Sequence, residues 1–160
     1  MQIHITVDDA GVRAELGRLA GRLGNLTPAM RGVGEIVRRS VEQNFAKKPP
    51  GRPVAWKESK RVREKGGQTL SDTGRLRRSF TVKAYNDRAE VGTNVKYAAI
   101  HQMGGVIMAK NKPYLKFKIG DQWISKKSVT IPARPFLMVQ EEDWGKIKRY
   151  LAKYAMEGNT

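Results

Sequence analysis

Hydrophobic and polar positions change period several times along the chain, and each change marks an element. Gln2-Ile3-His4-Ile5-Thr6-Val7 alternates strictly, which predicts a strand with one apolar face and His4 turned outward. After Asp8 or Asp9, either of which can cap a helix, Val12, Leu16, Leu19, Leu23 and Leu26 recur at helical spacing. Gly17 and Gly21 sit four apart beside that stripe, a spacing that predicts close packing in a soluble core. Thr27-Pro28 predicts a second helix start, with cap and first-turn proline in order. Met30, Val33, Val37, Val41 and Phe45 form its stripe, and Lys47-Lys48-Pro49-Pro50 ends it.

From Ala46 to Thr69 the period is lost. Pro49, Pro50, Gly51 and Pro53 forbid a regular element, and Gly66-Gly67 punctuates the far end. Eight basic residues (Lys47, Lys48, Arg52, Lys57, Lys60, Arg61, Arg63, Lys65) face two acidic ones there, which reads as a solvated, mobile loop. Trp56 is its one large aromatic. We read it as anchoring the loop to the core in preference to stacking on a base.

The second half predicts antiparallel strands. Ser79 to Tyr85 and Arg88 to Gly92 flank Asn86-Asp87, a hairpin turn. A short helix with Tyr97, Ile100 and Met103 follows, and then Val106-Ile107. Tyr114 to Ile119 and Gln122-Trp123-Ile124 flank a Gly120-Asp121 turn, and Ser128 to Pro132 closes the set. Lys116 and Lys118 alternate with Leu115, Phe117 and Ile119, giving one basic and one buried face. A last helix aligns Leu137, Trp144, Ile147, Leu151 and Tyr154. Its first turns carry Glu141, Glu142 and Asp143, and later turns Lys146, Lys148, Arg149 and Lys153, an order that complements the helix dipole. The expected class is α+β, a mainly antiparallel sheet packed with N-terminal and C-terminal helices.

Composition changes this picture in one direction. The 160 residues suit a single domain, with the basic loop at 46–69 and a Lys-rich hairpin insertion at 106–130. Thirty-one Lys and Arg against 15 Asp and Glu give a net charge of +16, which suits a polyanion or an acidic protein partner. Cysteine is absent, excluding disulfides and thiolate metal sites. No apolar run approaches the ~20 residues that span a bilayer, and no signal-peptide pattern opens the chain. Cytoplasm, or something assembled there, is the expected setting.

Candidate chemistry is sparse. His4 and His101 lie on unrelated elements, and no carboxylate pair is spaced to work with either. His101, beside Tyr97, reads as a packed, hydrogen-bonded histidine. Gly32 and Gly34 lie within a helix and lack the third glycine of a dinucleotide fingerprint. Neither a catalytic centre, a metal site nor a cofactor is expected.

Three blocks remain. Leu70-Ser71-Asp72-Thr73-Gly74-Arg75-Leu76-Arg77-Arg78-Ser79-Phe80 predicts a short helical turn capped by Ser71 or Asp72, with Leu76 and Phe80 inward. In the stretch from Val91 to Gly105, Gly92-Thr93-Asn94 ends a strand. Thr93 or Asn94 caps the Tyr97 helix, and Gly104-Gly105 stops it. In Ile131-Pro132-Ala133-Arg134-Pro135-Phe136-Leu137, two fixed prolines hold Ala133 and Arg134 extended and set the entry of Phe136 and Leu137. Each block alone reads as a fold-keeping turn.

In this order and spacing they resemble the virion morphogenesis (tail completion) family of tailed bacteriophages, which includes Mu-like and P2-like tail completion proteins. The resemblance runs from about Met30 to Leu151. It implies a structural assembly part, not an enzyme: a neck subunit at the head-proximal end of the tail. The implied partners are copies of itself in a hexameric ring, other neck and tail proteins, and packaged DNA in non-specific contact. Localisation would be the virion, assembled in the host cytoplasm. A closed ring joins one patch to a different patch. The Glu141-Glu142-Asp143 turn and the basic loop or hairpin offer that contrast.

Within that reading, Lys47, Lys48, Lys57, Lys60, Lys65, Lys110, Lys112, Lys116 and Lys118 are expected to face DNA or an acidic partner. Hydrated point charges hold phosphate more loosely than forked guanidinium groups. Arg75, Arg77, Arg78 and Arg134, with the acidic turn, are expected in structural or subunit contacts. The alternative reading is a free nucleic-acid-binding protein acting through its charge. Against it, the basic residues are spread over every element and no recognition helix or RNA-binding aromatic motif appears.

Overall fold

The computed structural model describes residues 3–6, 10–46, 56–119 and 121–157. Outside these lie the caps expected at Asp8 or Asp9, the proline run with Lys47, Lys48 and Arg52, and Gly120; the Leu19 and Leu23 side chains are likewise undescribed. The chain is α+β. Strand β1 (Ile3–Thr6) and helices α1 (Ala10–Leu23) and α2 (Thr27–Gln43) lead into α3 (Lys60–Lys65). A 3-10 turn (Arg77–Ser79), β2 (Thr81–Ala84), β3 (Ala89–Thr93) and α4 (Ala98–Met103) come next. The chain continues through β4 (Gly105–Met108), β5 (Leu115–Ile119), β6 (Gln122–Lys126) and β7 (Ser128–Ile131), then α5 (Glu141–Glu157).

Every strand pairing is antiparallel, as the alternating pattern predicts, but the strands divide into three small sheets. In the first, β3 is central, with β2 joined by the Asn86-Asp87 turn on one side and β1 on the other. Helix α2 packs across β2 and β3, and α5 packs on α2. Ala29, Met30, Val33, Val37 and Val41 of the α2 stripe are each 2 % exposed or less, and so is Phe45, which lies just past the helix end and not on it as the spacing predicts. Burying a side chain of this kind contributes about 1.5–3 kcal/mol. Phe45 meets Phe136 and Phe80 at ring-centroid distances of 5.3 and 6.0 Å.

Trp56 anchors its segment as expected. It packs edge-on against Phe45 at 5.6 Å, and its indole N–H donates to the Pro135 carbonyl.

Several local expectations need correction. Thr27 is not the α2 cap: Leu26 holds that position without a side-chain hydrogen bond, and Thr27 lies within the helix. Two asparagines do the capping, Asn25 accepting from the Thr27 N–H and Asn86, from the distant hairpin turn, accepting from the Leu26 N–H. The segment before Leu70 is not wholly irregular. Ser59 accepts from the Val62 N–H, and this cap starts α3, which Gly66 stops. In the first block Ser71 and Asp72 cap nothing; Thr73 Oγ1 accepts from the Arg75 N–H. Thr93 likewise makes a turn, accepting from the Val95 N–H, and Tyr97 rather than Thr93 or Asn94 precedes α4. Leu137 is buried ahead of α5, not on it.

Residues 105–131 form an arm, β4 pairing β7 with the β5–β6 hairpin nested between them. No residue of the arm belongs to the core cluster. The face carrying Leu115, Phe117 and Ile119 is therefore only half-buried, closed by cross-strand pairs such as Phe117 opposite Ile124.

The glycines behave opposite to the spacing argument. A Cβ on Gly17 or Gly21 would meet nothing within 4 Å, so neither marks close packing. Gly32 and Gly34 do: a Cβ there would run into Tyr150 of α5 and Val82 of β2. The α2 approach to its two neighbours depends on these absent side chains. Gly34→Ala should therefore destabilise by about 1–3 kcal/mol, because a β-branched valine cannot swing aside. Gly17→Ala should stabilise by up to about 1 kcal/mol through helix propensity alone. Denaturant unfolding of both variants checks this, and equal signs would refute it.

Candidate functional site

The three blocks close on one another in space. Gln102 of α4 does the joining. Its Oε1 accepts from the backbone N–H groups of Phe136 and Leu137 at 2.9 and 3.0 Å, and its Nε2 donates to the Leu137 carbonyl at 3.0 Å. One residue earlier, the His101 carbonyl accepts from the Arg134 N–H at 2.7 Å. Gly104, with φ +74°, ends α4, and a Cβ there would lie 2.7 Å from the Ala133 nitrogen. From the other side Asn44 donates to the Phe136 carbonyl at 2.8 Å and accepts from Gln140 at 2.5 Å. The first block joins through Ser79, whose hydroxyl lies 2.6 Å from that of Thr93.

Between the blocks is a cavity of about 420 Å³, within the size range of small-ligand sites. Leu70 and Leu76 supply apolar wall, Arg61, Asp72 and Arg75 charge, and Tyr97, His101 and Arg134 the remainder used below. Leu70 holds a positive φ of 61°, an uncommon conformation for a residue with a side chain. Arg134 is 5 % exposed, and its Nε donates to the Lys57 carbonyl at 2.9 Å. Burial lowers its pKa. Burial also lowers the His101 pKa from its ordinary 6.5, and the nearby Arg134 charge adds to the effect. The ring stands edge-on to Tyr97 at 5.9 Å, but the expected side-chain hydrogen bond is missing at one nitrogen: buried Nδ1 has no partner among the described residues.

The sequence-predicted charges fall into separate places. Lys60 pairs with Glu64 of its own helix, while Lys65 and Lys118 both approach Asp121, at 3.9 and 3.8 Å. The basic segment and the Lys-rich hairpin thus meet at one carboxylate. Lys110, Lys112 and Lys116 line a recess of about 480 Å³ with Tyr114, and Lys57 is exposed. Lys47 and Lys48 lie outside the described residues. Arg75 and Arg77 are exposed; Arg78 donates to the Thr73 carbonyl.

The acidic turn is divided. Glu141 is exposed and Glu142 pairs with Lys146 at 3.1 Å. Asp143 is fully buried, accepting from the Ser40 hydroxyl at 2.5 Å and from the Gln140 N–H at 2.9 Å. That contact starts α5 in the manner of a capping box, so Asp143 is occupied within its own chain. Sequence reasoning missed Asn44, Gln102 and Gln140, because a neutral polar residue at a helix end or on a six-residue helix gives no periodic signal.

Among the described residues no group of three or more His, Asp or Glu is arranged to hold a metal ion, and no helix is long and apolar enough to cross a membrane. The phage virion morphogenesis family matches residues 7–155, all three blocks included. The chain belongs to that family. It is similar to the Mu-like prophage FluMu G protein 2 of Haemophilus influenzae, 37% identical over 153 residues and 95% of each chain. No solved structure matches. That family is one of structural phage morphogenesis proteins.

His101 gives a pH signature. Its folded-state pKa lies below the unfolded one, so the unfolded chain takes up the proton first as pH falls. Stability should be complete above the ordinary histidine value of 6.5 and decline as pH falls through it toward the lowered one. Denaturant unfolding between about pH 5 and 8 should show this slope, and His101→Gln should abolish it. A slope unchanged in that variant would refute the assignment.

Proposed function

We propose that this virion morphogenesis protein is a ring-forming subunit of the phage neck. It sits at the head-proximal end of the tail and enables head and tail to join around the DNA path. The observation that carries this is the arm. Met103 just before it, and Val106, Met108 and Trp123 within it, are 64, 57, 67 and 75 % exposed, and no described part of the chain covers them. Large apolar side chains left exposed on and beside thin two-stranded sheets favour burial against a neighbour. Six copies, matching the six-fold tail, would place one arm on each adjoining subunit. The contact is heterologous and closes into a ring.

Reconstruction of intact particles tests the reading: density for this chain is expected around the channel between head and tail, and density elsewhere would overturn it. Met108→Arg and Trp123→Arg should leave unfolding free energy within about 0.5 kcal/mol of the parent, since both sites are exposed. The same variants should yield heads and tails that do not join. Joined, infectious particles from both would count against the arm as the interface.

The lysines then acquire a role distinct from assembly. Lys110, Lys112, Lys116 and Lys118, with Lys57, Lys60 and Lys65, are proposed to face DNA or an acidic partner loosely enough for DNA to pass. Lys110→Glu with Lys112→Glu should lower DNA delivery while particles still assemble; loss of assembly with normal delivery per particle would reverse the assignment. Steep, tight, salt-dependent duplex binding by the purified chain would instead favour the free nucleic-acid-binding reading.

A further inference from the structure

Among the described residues Arg134 is buried without an anion. No carboxylate there pairs with it, and the one side-chain hydrogen bond found for it there runs from Nε to the Lys57 carbonyl. Arg134 lines the cavity described above, and no hydrogen bond from its two terminal nitrogens is found among the described residues. A guanidinium on a residue only 5 % exposed has lost most of its contact with water without gaining a counter-ion among the described residues, an arrangement proteins rarely leave uncompensated. His101, which lines the same cavity, adds a second orphan in its buried Nδ1. Asp72, a carboxylate on the lining, is directed to Arg61 at 3.5 Å and is mostly exposed. The lining therefore carries Arg61, Arg75 and Arg134 against Asp72, an excess of positive charge.

We propose that this cavity receives a carboxylate side chain of a neighbouring virion protein, gripped by the Arg134 fork, with the His101 ring alongside and Arg75 at the rim. The planar guanidinium matches a carboxylate through two parallel hydrogen bonds. Leu70 and Leu76 offer apolar wall for the methylenes of a glutamate. Depth argues for a protein donor over DNA. Arg134 is only 5 % exposed, so a single projecting side chain reaches it more readily than the backbone of a broad duplex. The proposal rests on the assembly reading, because it needs a protein neighbour at this face.

The test is an NMR titration of the full-length chain, following the Arg134 Nε–H and the His101 ring. N-acetyl-glutamate N-methylamide should shift both resonances saturably, and should bind at least about tenfold tighter than its glutamine analogue, because the neutral amide cannot take the charged fork. Arg75→Ala, on the exposed rim, should weaken the glutamate response while the spectrum stays folded. Arg134→Gln should remove it, and the Arg75 variant keeps the test informative if the Arg134 variant does not fold. Equal responses to glutamate and glutamine probes would overturn the proposal. So would a short DNA duplex or inorganic phosphate shifting the same two resonances at lower concentration.

A dilution series identifies the donor. If the two resonances move with protein concentration in the parent but not in Glu141→Gln with Glu142→Gln, the carboxylate comes from a second copy. If they respond to the glutamate probe without moving on dilution, it comes from a different virion protein. Either result supports the cavity as the receptor. The titration reads the cavity alone, so its failure is distinct from failure of the neck location, which particle reconstruction reads.

Discussion

The Gln102 side chain ties the Phe136–Leu137 backbone to α4 through three hydrogen bonds, and the core is arranged around that tie. The segment from Pro132 to Val139 has no helical or strand ladder to satisfy its backbone after β7 ends. Gln102 from one side and Asn44 from the other supply those partners, which lets an irregular chain run through buried space. Phe136 is thereby fixed against Phe45 and Phe80. The tie also sets the cavity, because Arg134 is held two residues before Phe136 and its N–H is taken by the neighbouring His101 carbonyl.

The fold was legible in the sequence where period and burial coincide. The α2 stripe, the alternation of the first strand and the Asn86-Asp87 turn all appear where the pattern puts them. It was illegible where one polar atom decides the outcome. Asn86, read only as a turn residue, caps a helix 60 positions away in sequence, a long-range bond that no local window contains. The four-residue glycine spacing misled for a related reason. Spacing places Gly17 and Gly21 on one face, but only a neighbour makes a face tight, and that neighbour is found at Gly32 and Gly34 instead.

The candidate site was half visible. Each block could be recognised as a turn, and Arg134 stood out as a charge held between two prolines. Their convergence could not be read from order alone, since Leu70 to Leu76, Tyr97 to His101 and Arg134 are brought together by three different elements. The same holds for the acidic turn. Glu141, Glu142 and Asp143 look equivalent along the chain, yet the helical rotation between neighbours sends Asp143 inward to Ser40.

Two surfaces of this chain remain physically unfinished, and they are unfinished in complementary ways. The arm exposes apolar side chains that water disfavours, a force without direction. The cavity is lined by a guanidinium that has no carboxylate partner among the described residues, and the partner proposed for it would arrive with a defined charge and geometry. Apolar burial can hold subunits together but tolerates sliding, whereas a forked ion pair has little strength at an exposed surface yet fixes register when buried. The ring proposed for this chain would need both properties, adhesion among subunits and a single angular setting between them, and a chain carrying only the apolar arm would have no means of choosing that setting.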